Sequence, residues 1–299
     1  MKFAGIGVVA TALSDDARAA AAAARTAGFA GLQFSARGAA IDFTRLSASG
    51  RRDFLRLLSS QSQHLIALRA NVGSAGLAAA DADRILSRLE RIFAAAAGLG
   101  SPPLCLDLGP LPSPASASRP KPKPTPEQAG VILIPDFPPE QKNQPVFTPA
   151  PDPNLIAHVD SVLAEIARGA DRYGITVALR SDLSSFAALC RAISAAACPW
   201  FVVDFDPVAA LQDDQSLDDI FTAIAPLIRH VRARDAVLGD QRRTRSAPLG
   251  QGSVDWPAVL SRLDEAGYSG WITIDPLELN DRPAAAAAGL QLLSRLITA

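Results

Sequence analysis

Residues 228–274 decide the fold. Ile228-Arg229-His230-Val231-Arg232-Ala233 is a short run of strand length, and Trp271-Ile272-Thr273-Ile274 is a second. Between them Trp256 to Ala266 has the length and periodicity of an amphipathic helix. Strand, helix and strand in that order imply two parallel strands joined by a right-handed crossover.

The same unit repeats towards the N-terminus. Strand one is expected at Phe3 to Val9, followed by an Ala-rich helix from Asp15 to Ala27 that Gly28 ends. Gly31 to Ser35 is strand two and Gly50 to Gln61 a helix; His64 to Ala70 is strand three. Asp81 to Ala97 is a helix with Ile85, Leu89, Ile92 and Phe93 on one face. Leu104 to Leu108 is strand four, Leu155 to Tyr173 a helix, Ile175 to Leu179 strand five and Leu183 to Ala196 a helix. Trp200 to Val203 is strand six and Leu217 to Ala225 a helix. The two opening runs are strands seven and eight, and Ala284 to Ile297 closes the chain. Eight strands in strict alternation with eight helices permit closure into a single (β/α)8 TIM barrel, which suits a chain of 299 residues. A doubly wound open sheet is the competitor, and the unit count favours the barrel.

Composition narrows the function classes. Hydrophobic residues make up 48%, enough for a large core, and 29 basic against 30 acidic residues leave a net charge of −1. That balance gives no bulk attraction to nucleic acid or to an anionic membrane. Cys105, Cys190 and Cys198 are an odd set without CxxC spacing, read as small buried hydrophobes of a reducing compartment. Only Lys2 precedes the first apolar run and Gly5 and Gly7 interrupt it, so it is read as a strand and not a signal segment. No uncharged run reaches the ~18 residues of a membrane span. A cytoplasmic protein is the expectation.

One segment breaks the alternation. Pro110 to Pro153 contains 14 of the 23 prolines, including Arg119-Pro120-Lys121-Pro122-Lys123-Pro124-Thr125-Pro126. Such a stretch runs as extended, polyproline-like chain, with Val131-Ile132-Leu133-Ile134 long enough for a short extra strand. As an insertion at 110–153 after strand four, it leaves the barrel at the C-terminal face, where active sites lie. A lid, an oligomer contact and an unstructured decoration are all open readings.

Several stretches resemble the xylose isomerase-like sugar phosphate isomerase/epimerase family. Arg229-His230-Val231-Arg232-Ala233-Arg234-Asp235 is similar to its strand-seven pattern H-V-H-x-K-D. Pro248-Leu249-Gly250-Gln251-Gly252-Ser253-Val254-Asp255-Trp256 is similar to the P-L-G-x-G-x-V-D-W loop that follows. Glu265 to Ile274 resembles the approach to strand eight, and Ala27-Gly28-Phe29-Ala30-Gly31-Leu32-Gln33 the A-G-x-x-G-x-E approach to strand two. The resemblance implies a (β/α)8 barrel that moves a proton at a carbon next to a carbonyl in a sugar or sugar phosphate. It also implies a divalent cation (Mn, Mg, Co or Zn) held by a Glu, an Asp, a His and a second Glu at the ends of strands five to eight. Such a cation polarises the ketone while carboxylates shuttle the proton.

Only part of that set is kept. The strand-five Glu position is Arg180 and the strand-seven His position is Arg232; the strand-six Asp is Asp204 and the strand-eight Glu is Asp275. Gln33 ends strand two where a Glu is frequent. Guanidinium does not deprotonate in a protein, and two fixed positive charges repel a divalent ion. No metal is therefore expected, with Asp204 and Asp275 the only ligands if one is bound. An internal network of Arg180 and Arg232 against Asp204 and Asp275, joined by Arg69, is expected in its place. Period two puts Ala178, Val202, His230 and Thr273 one layer below, where His230 reads as a satisfied core histidine.

Three functions follow. Asp204 and Asp275 are the candidate catalytic acid–base pair of an isomerase or epimerase. Alternatively, Arg180, Arg232, Arg234 and Arg69, with Asp235 beside them, bind a small anionic ligand in an inactive relative, or merely neutralise buried aspartates. The third reading is an interaction scaffold. A small sugar or anion is the expected partner, without nucleic acid or membrane, and a homo-oligomer is left open. Gln241-Arg242-Arg243-Thr244-Arg245 reads as a solvated loop at the same face.

Overall fold

The computed structural model describes residues 2–39, 41–73, 76–78, 81–112, 152–181, 184–213 and 215–298. Most of the expected proline-rich insertion, and the extra strand and lid readings with it, lies outside the described residues.

Eight parallel strands close into a barrel: β1 (Gly5–Val9), β2 (Gly31–Ser35), β3 (His64–Asn71), β4 (Leu104–Asp107), β5 (Val177–Arg180), β6 (Phe201–Phe205), β7 (Ile228–Ala233) and β10 (Trp271–Ile274). The ring runs β1-β10-β7-β6-β5-β4-β3-β2 and closes where β1 pairs with β2. The helices are α1 (Ala17–Ala27), α2 (Ala48–Ser60), α3 (Ala82–Ala97), α4 (Pro153–Tyr173), α5 (Phe186–Ala196), α7 (Leu217–Ile224), α8 (Trp256–Glu265) and α9 (Arg282–Thr298). Local sequence sets their ends. Asp16 caps α1 by accepting from Ala19 N at 2.8 Å, and Gly28 ends it with φ of 89°. Asp152-Pro153 opens α4 and Asp255-Trp256-Pro257 opens α8, each an acidic cap followed by a proline where the missing N–H is not needed.

Two elements were not expected. α6 (Pro207–Gln212) follows β6 directly, capped by Asp206, which accepts from Val208 N at 2.9 Å. The loop after β7 carries an antiparallel hairpin, β8 (Asp235–Leu238) with β9 (Thr244–Ala247). The stretch read as a solvated loop is thus partly strand, and Arg242 is tied down by bonds to the Leu211 and Asp213 carbonyls. Strands β5 and β6 also run further than expected, to Arg180 and Phe205, so Arg180 and Asp204 both leave the sheet from strand positions.

The main core fills the space between the strands and the helices, and a small separate cluster, Ala67, Cys105, Ala178 and Val202, lies apart from it. Three of them lie in register on neighbouring strands, Cys105 opposite Ala178 and Ala178 opposite Val202, with Ala67 two residues short of the partner of Cys105 on β3. They are the small side chains of the barrel interior. Cys105 is buried as expected, whereas Cys190 and Cys198 are only half-buried.

Candidate functional site

The charged residues at the C-terminal ends of the strands form one network. Arg232 on β7 reaches Asp275, just past β10, with Nε at 2.7 Å and Nη2 at 2.5 Å from Oδ2. Arg69 on β3 joins the same oxygen through Nη1 at 3.1 Å. Leu277 N donates to the other oxygen at 3.1 Å. The expected pairing of Arg232, Arg69 and Asp275 is therefore formed.

The other half of the network differs. Arg180 approaches Asp204 only to 3.9 Å, Nε to Oδ2. Its Nη2 instead donates to Asp107 Oδ2 at 2.7 Å, and its Nη1 to Asp206 Oδ2 at 3.4 Å. Asp107 lies opposite Arg180 in the β4–β5 register, so the two side chains leave the same face side by side. The register of β6 against β7 shifts between Val203 and Asp204, and that irregularity brings Asp204 level with His230. His230 Nδ1 lies 2.6 Å from Asp204 Oδ1 and Nε2 lies 2.8 Å from Thr273 Oγ1. The expected pair of Arg180 and Asp204 is thus a long contact, each residue having a closer partner, Asp107 for Arg180 and His230 for Asp204.

Asp206 is the residue sequence reasoning missed. It is fully buried, and its Oδ2 also accepts from Arg234 Nε at 2.6 Å and lies 3.9 Å from Arg232 Nη1. Arg234 continues outward to Glu278 at 3.0 Å. The signals were present: Asp206-Pro207 has the form of a cap and first turn, and Asp107 ends a barrel strand at the functional face. Asp235 was grouped with the ligand-binding residues, and it is engaged elsewhere. Its carboxylate accepts from the backbone of Ala236 (2.8 Å), Gly250 (2.9 Å), Val254 (3.1 Å) and Gly252 (3.3 Å) and from Trp256 Nε1 (3.3 Å). It holds the 248–256 loop together.

One donor in the network is left over. Arg232 Nη1 is buried and has no hydrogen-bond acceptor among the described residues. One cleft at this end of the barrel is lined by Arg180, Ser181, Ser184, Asp204 and Asp206, and another by Arg234, Ser246, Asp275 and Glu278.

His230 is a satisfied, buried histidine, as expected, but not an inert one. Burial alone would push its ring down; the neighbouring Cys105 and Asp204 more than reverse this and hold it well above the ordinary imidazole value. Burial pushes the Cys105 thiol up, with the Asp204 charge acting the same way.

The divalent cation that the resemblance implies does not fit this rim. The two carboxylates kept from the family's ligand set are engaged by other groups: Asp275 Oδ2 by two guanidinium groups and Asp204 Oδ1 by His230. Arg180 and Arg232 put fixed positive charge on the remaining two positions.

A closed parallel barrel with a charged cluster at the C-terminal ends of its strands has the architecture that β/α-barrel enzymes use for their active sites. The chain belongs to the xylose isomerase-like TIM barrel family, whose model matches residues 21–296. Comparison with curated protein sequences gives no match. Among solved structures, the xylose isomerase domain protein of Planctomyces limnophilus is 17% identical, with a TM-score of 0.72 over 99% of this chain and 97% of that one. D-psicose 3-epimerase of Clostridium cellulolyticum H10 with D-tagatose is 11% identical, TM-score 0.69, covering 98% and 99%. A xylose isomerase-like TIM barrel protein of Mycobacterium smegmatis in complex with magnesium is 13% identical, TM-score 0.63, covering 94% and 88%. At such identities the likeness is one of fold. No helix among the described residues is long and apolar enough to cross a membrane.

Proposed function

We propose that this barrel binds a small sugar-type ligand bearing an anionic group at its C-terminal mouth, without the metal-assisted proton transfer of its family. The observation that carries this is Arg232 Nη1, a buried guanidinium nitrogen with no hydrogen-bond acceptor among the described residues. An unmet buried donor costs about 1–3 kcal/mol, and a carboxylate or phosphate oxygen supplies what it lacks. Arg180 and Arg234 flank the two clefts and are held in place by Asp107 and Asp206. The sugar part is suggested by the family and by the D-tagatose of one structural neighbour.

Calorimetric titration of metal-stripped protein with sugar acids, sugar phosphates and their neutral parents tests this. The charged ligands bind, and Arg232→Met weakens them by about ten- to a hundredfold, the worth of one charge-assisted hydrogen bond. Neutral sugars binding equally well, or binding that requires a divalent ion, would overturn the reading.

A second reading, residual epimerisation, has one observation in its favour. Asp204 lines the cleft beside Arg180, its Oδ1 held by His230 and its Oδ2 3.9 Å from Arg180 Nε. Asp204, held by His230, is then the base, with Asp275 as its acid partner. Exchange of a sugar C–H for deuterium, abolished by Asp204→Asn, would support it.

A further inference from the structure

Cys105, Asp204 and His230 form a second cluster beneath the rim, and the anion reading makes no use of it. One ligand atom of each, the thiol sulfur, a carboxylate oxygen and a ring nitrogen, lies within 4.8 Å of the other two, and all three residues are buried. They come from three strands, β4, β6 and β7, that the barrel brings around one interior point.

We propose that this trio is a buried zinc site, with the Cys105 thiolate, an Asp204 carboxylate oxygen and His230 Nδ1 as its protein ligands. It shares Asp204 with the rim and otherwise uses none of the positions that the family's oxygen-rich site uses. Sulfur, imidazole and carboxylate together suit zinc, where an all-oxygen set suits magnesium or manganese.

The spacing is close to what zinc needs. Bonds of about 2.0–2.3 Å at tetrahedral angles put ligand atoms roughly 3.3–3.6 Å apart. Nδ1 and Oδ1 now stand 2.6 Å apart, so they open by less than ~1 Å, and the sulfur already lies within 4.8 Å of both. The residues packed with Cys105 are Ala67, Ala178 and Val202, none of them bulky. The far ring nitrogen, Nε2, is bonded to Thr273 Oγ1 at 2.8 Å, the outer partner that fixes the ring of a metal-bound histidine.

Zinc takes the thiol as thiolate and the imidazole as the neutral ring, displacing a proton wherever one is held. The nearby Arg180 is already matched by Asp107 and Asp206.

Cobalt is the probe. The protein is produced in cobalt-supplemented minimal medium and its metal content and absorption spectrum are measured. One equivalent of Co2+ with a near-ultraviolet thiolate charge-transfer band is expected. Cys105→Ala and His230→Gln lose the band and bind at least about a hundredfold more weakly. The double variant Cys190→Ser/Cys198→Ser keeps it. Circular dichroism identifies any variant that has not folded, and Cys105→Ala, the smaller change, then decides alone. Absence of the band in wild type, or its persistence in Cys105→Ala, overturns the proposal. Arg232→Met retains the band while losing anion binding, so failure here is distinguishable from failure of the anion reading.

Discussion

Replacing Arg232 with methionine tests whether the rim is held by ion pairs. The change removes the Nε and Nη2 contacts to Asp275 Oδ2, at 2.7 and 2.5 Å, while roughly conserving volume. Asp275 has a side chain only 2% exposed and keeps Arg69 at 3.1 Å and Leu277 N at 3.1 Å. Stranding one partner of a buried pair costs about 3–5 kcal/mol. The variant also removes the unmet Nη1, which offsets roughly 1 kcal/mol of that, so the lower part of the range applies. With about 2.1 cal/mol/K of unfolding entropy per residue over 299 residues, the full range is a fall in Tm of about 5–8 °C. The decisive comparison is the double variant Arg232→Met/Asp275→Leu. Removing both charges eliminates the stranded carboxylate and leaves the half-exposed Arg69 to water, so the double variant should lie within about 1–2 kcal/mol of wild type. Thermal unfolding by circular dichroism and the urea midpoint, at fixed pH and salt, measure both. A single variant within about 2 °C of wild type, or a double variant no more stable than the single, refutes the reasoning.

Two further outcomes follow from other parts of the barrel. Asp235→Ala leaves the amides of Gly250, Gly252 and Val254 without their acceptor and is expected to cost at least about 3 kcal/mol; urea denaturation, with faster proteolysis within residues 248–255, checks it. At the barrel's other end, a Cβ on Gly7 would stand 2.3 Å from Ile66 Cδ1, Ile66 being the extra residue where β3 bulges against β2. Gly7→Ala should therefore cost about 1–3 kcal/mol, and Ile66→Val, which deletes that methyl, should restore part of it in the double variant; unchanged stability of the double variant relative to Gly7→Ala would contradict this.

The barrel was legible in the sequence because its constraints are repetitive. Short apolar runs separated by amphipathic stretches placed every barrel strand, and Gly28 and Asp152-Pro153 mark helix ends by local chemistry. The rim was half legible. Arg69, Arg232 and Asp275 come together as expected because each sits at the C-terminal end of its strand or just beyond, on the inner face. Arg180 and Asp204 meet only at 3.9 Å, because each has a closer partner, Asp107 and His230, that the period-two pattern does not single out. Asp206 escaped notice for a different reason. Its sequence context explains it fully as a helix cap, and only three dimensions show that the second carboxylate oxygen collects arginines from β5 and from just past β7. The hairpin was missed because Arg242 and Arg243 look like solvated charge until the Leu211 and Asp213 carbonyls are found beneath Arg242.

The changes at the rim are coupled, and this bears on why fold and chemistry part company here. A single arginine at a metal-ligand position of an otherwise intact site would leave a divalent ion beside an unmatched cation. Here each arginine has an aspartate: Asp107 and Asp206, outside the family's ligand set, take Arg180, and Asp275, at the strand-eight position itself, takes Arg232. Remove any one of these and a buried charge is stranded, so the set is stable only as a whole. The barrel tolerates the exchange because its closure depends on strand register and on the core outside the sheet, neither of which reads the charge at the mouth. Structural likeness at 11–17% identity thus transmits the backbone that presents four positions at the end of the barrel. What those positions do is decided by the side chains placed there, and in this chain they place guanidinium where the family places a metal.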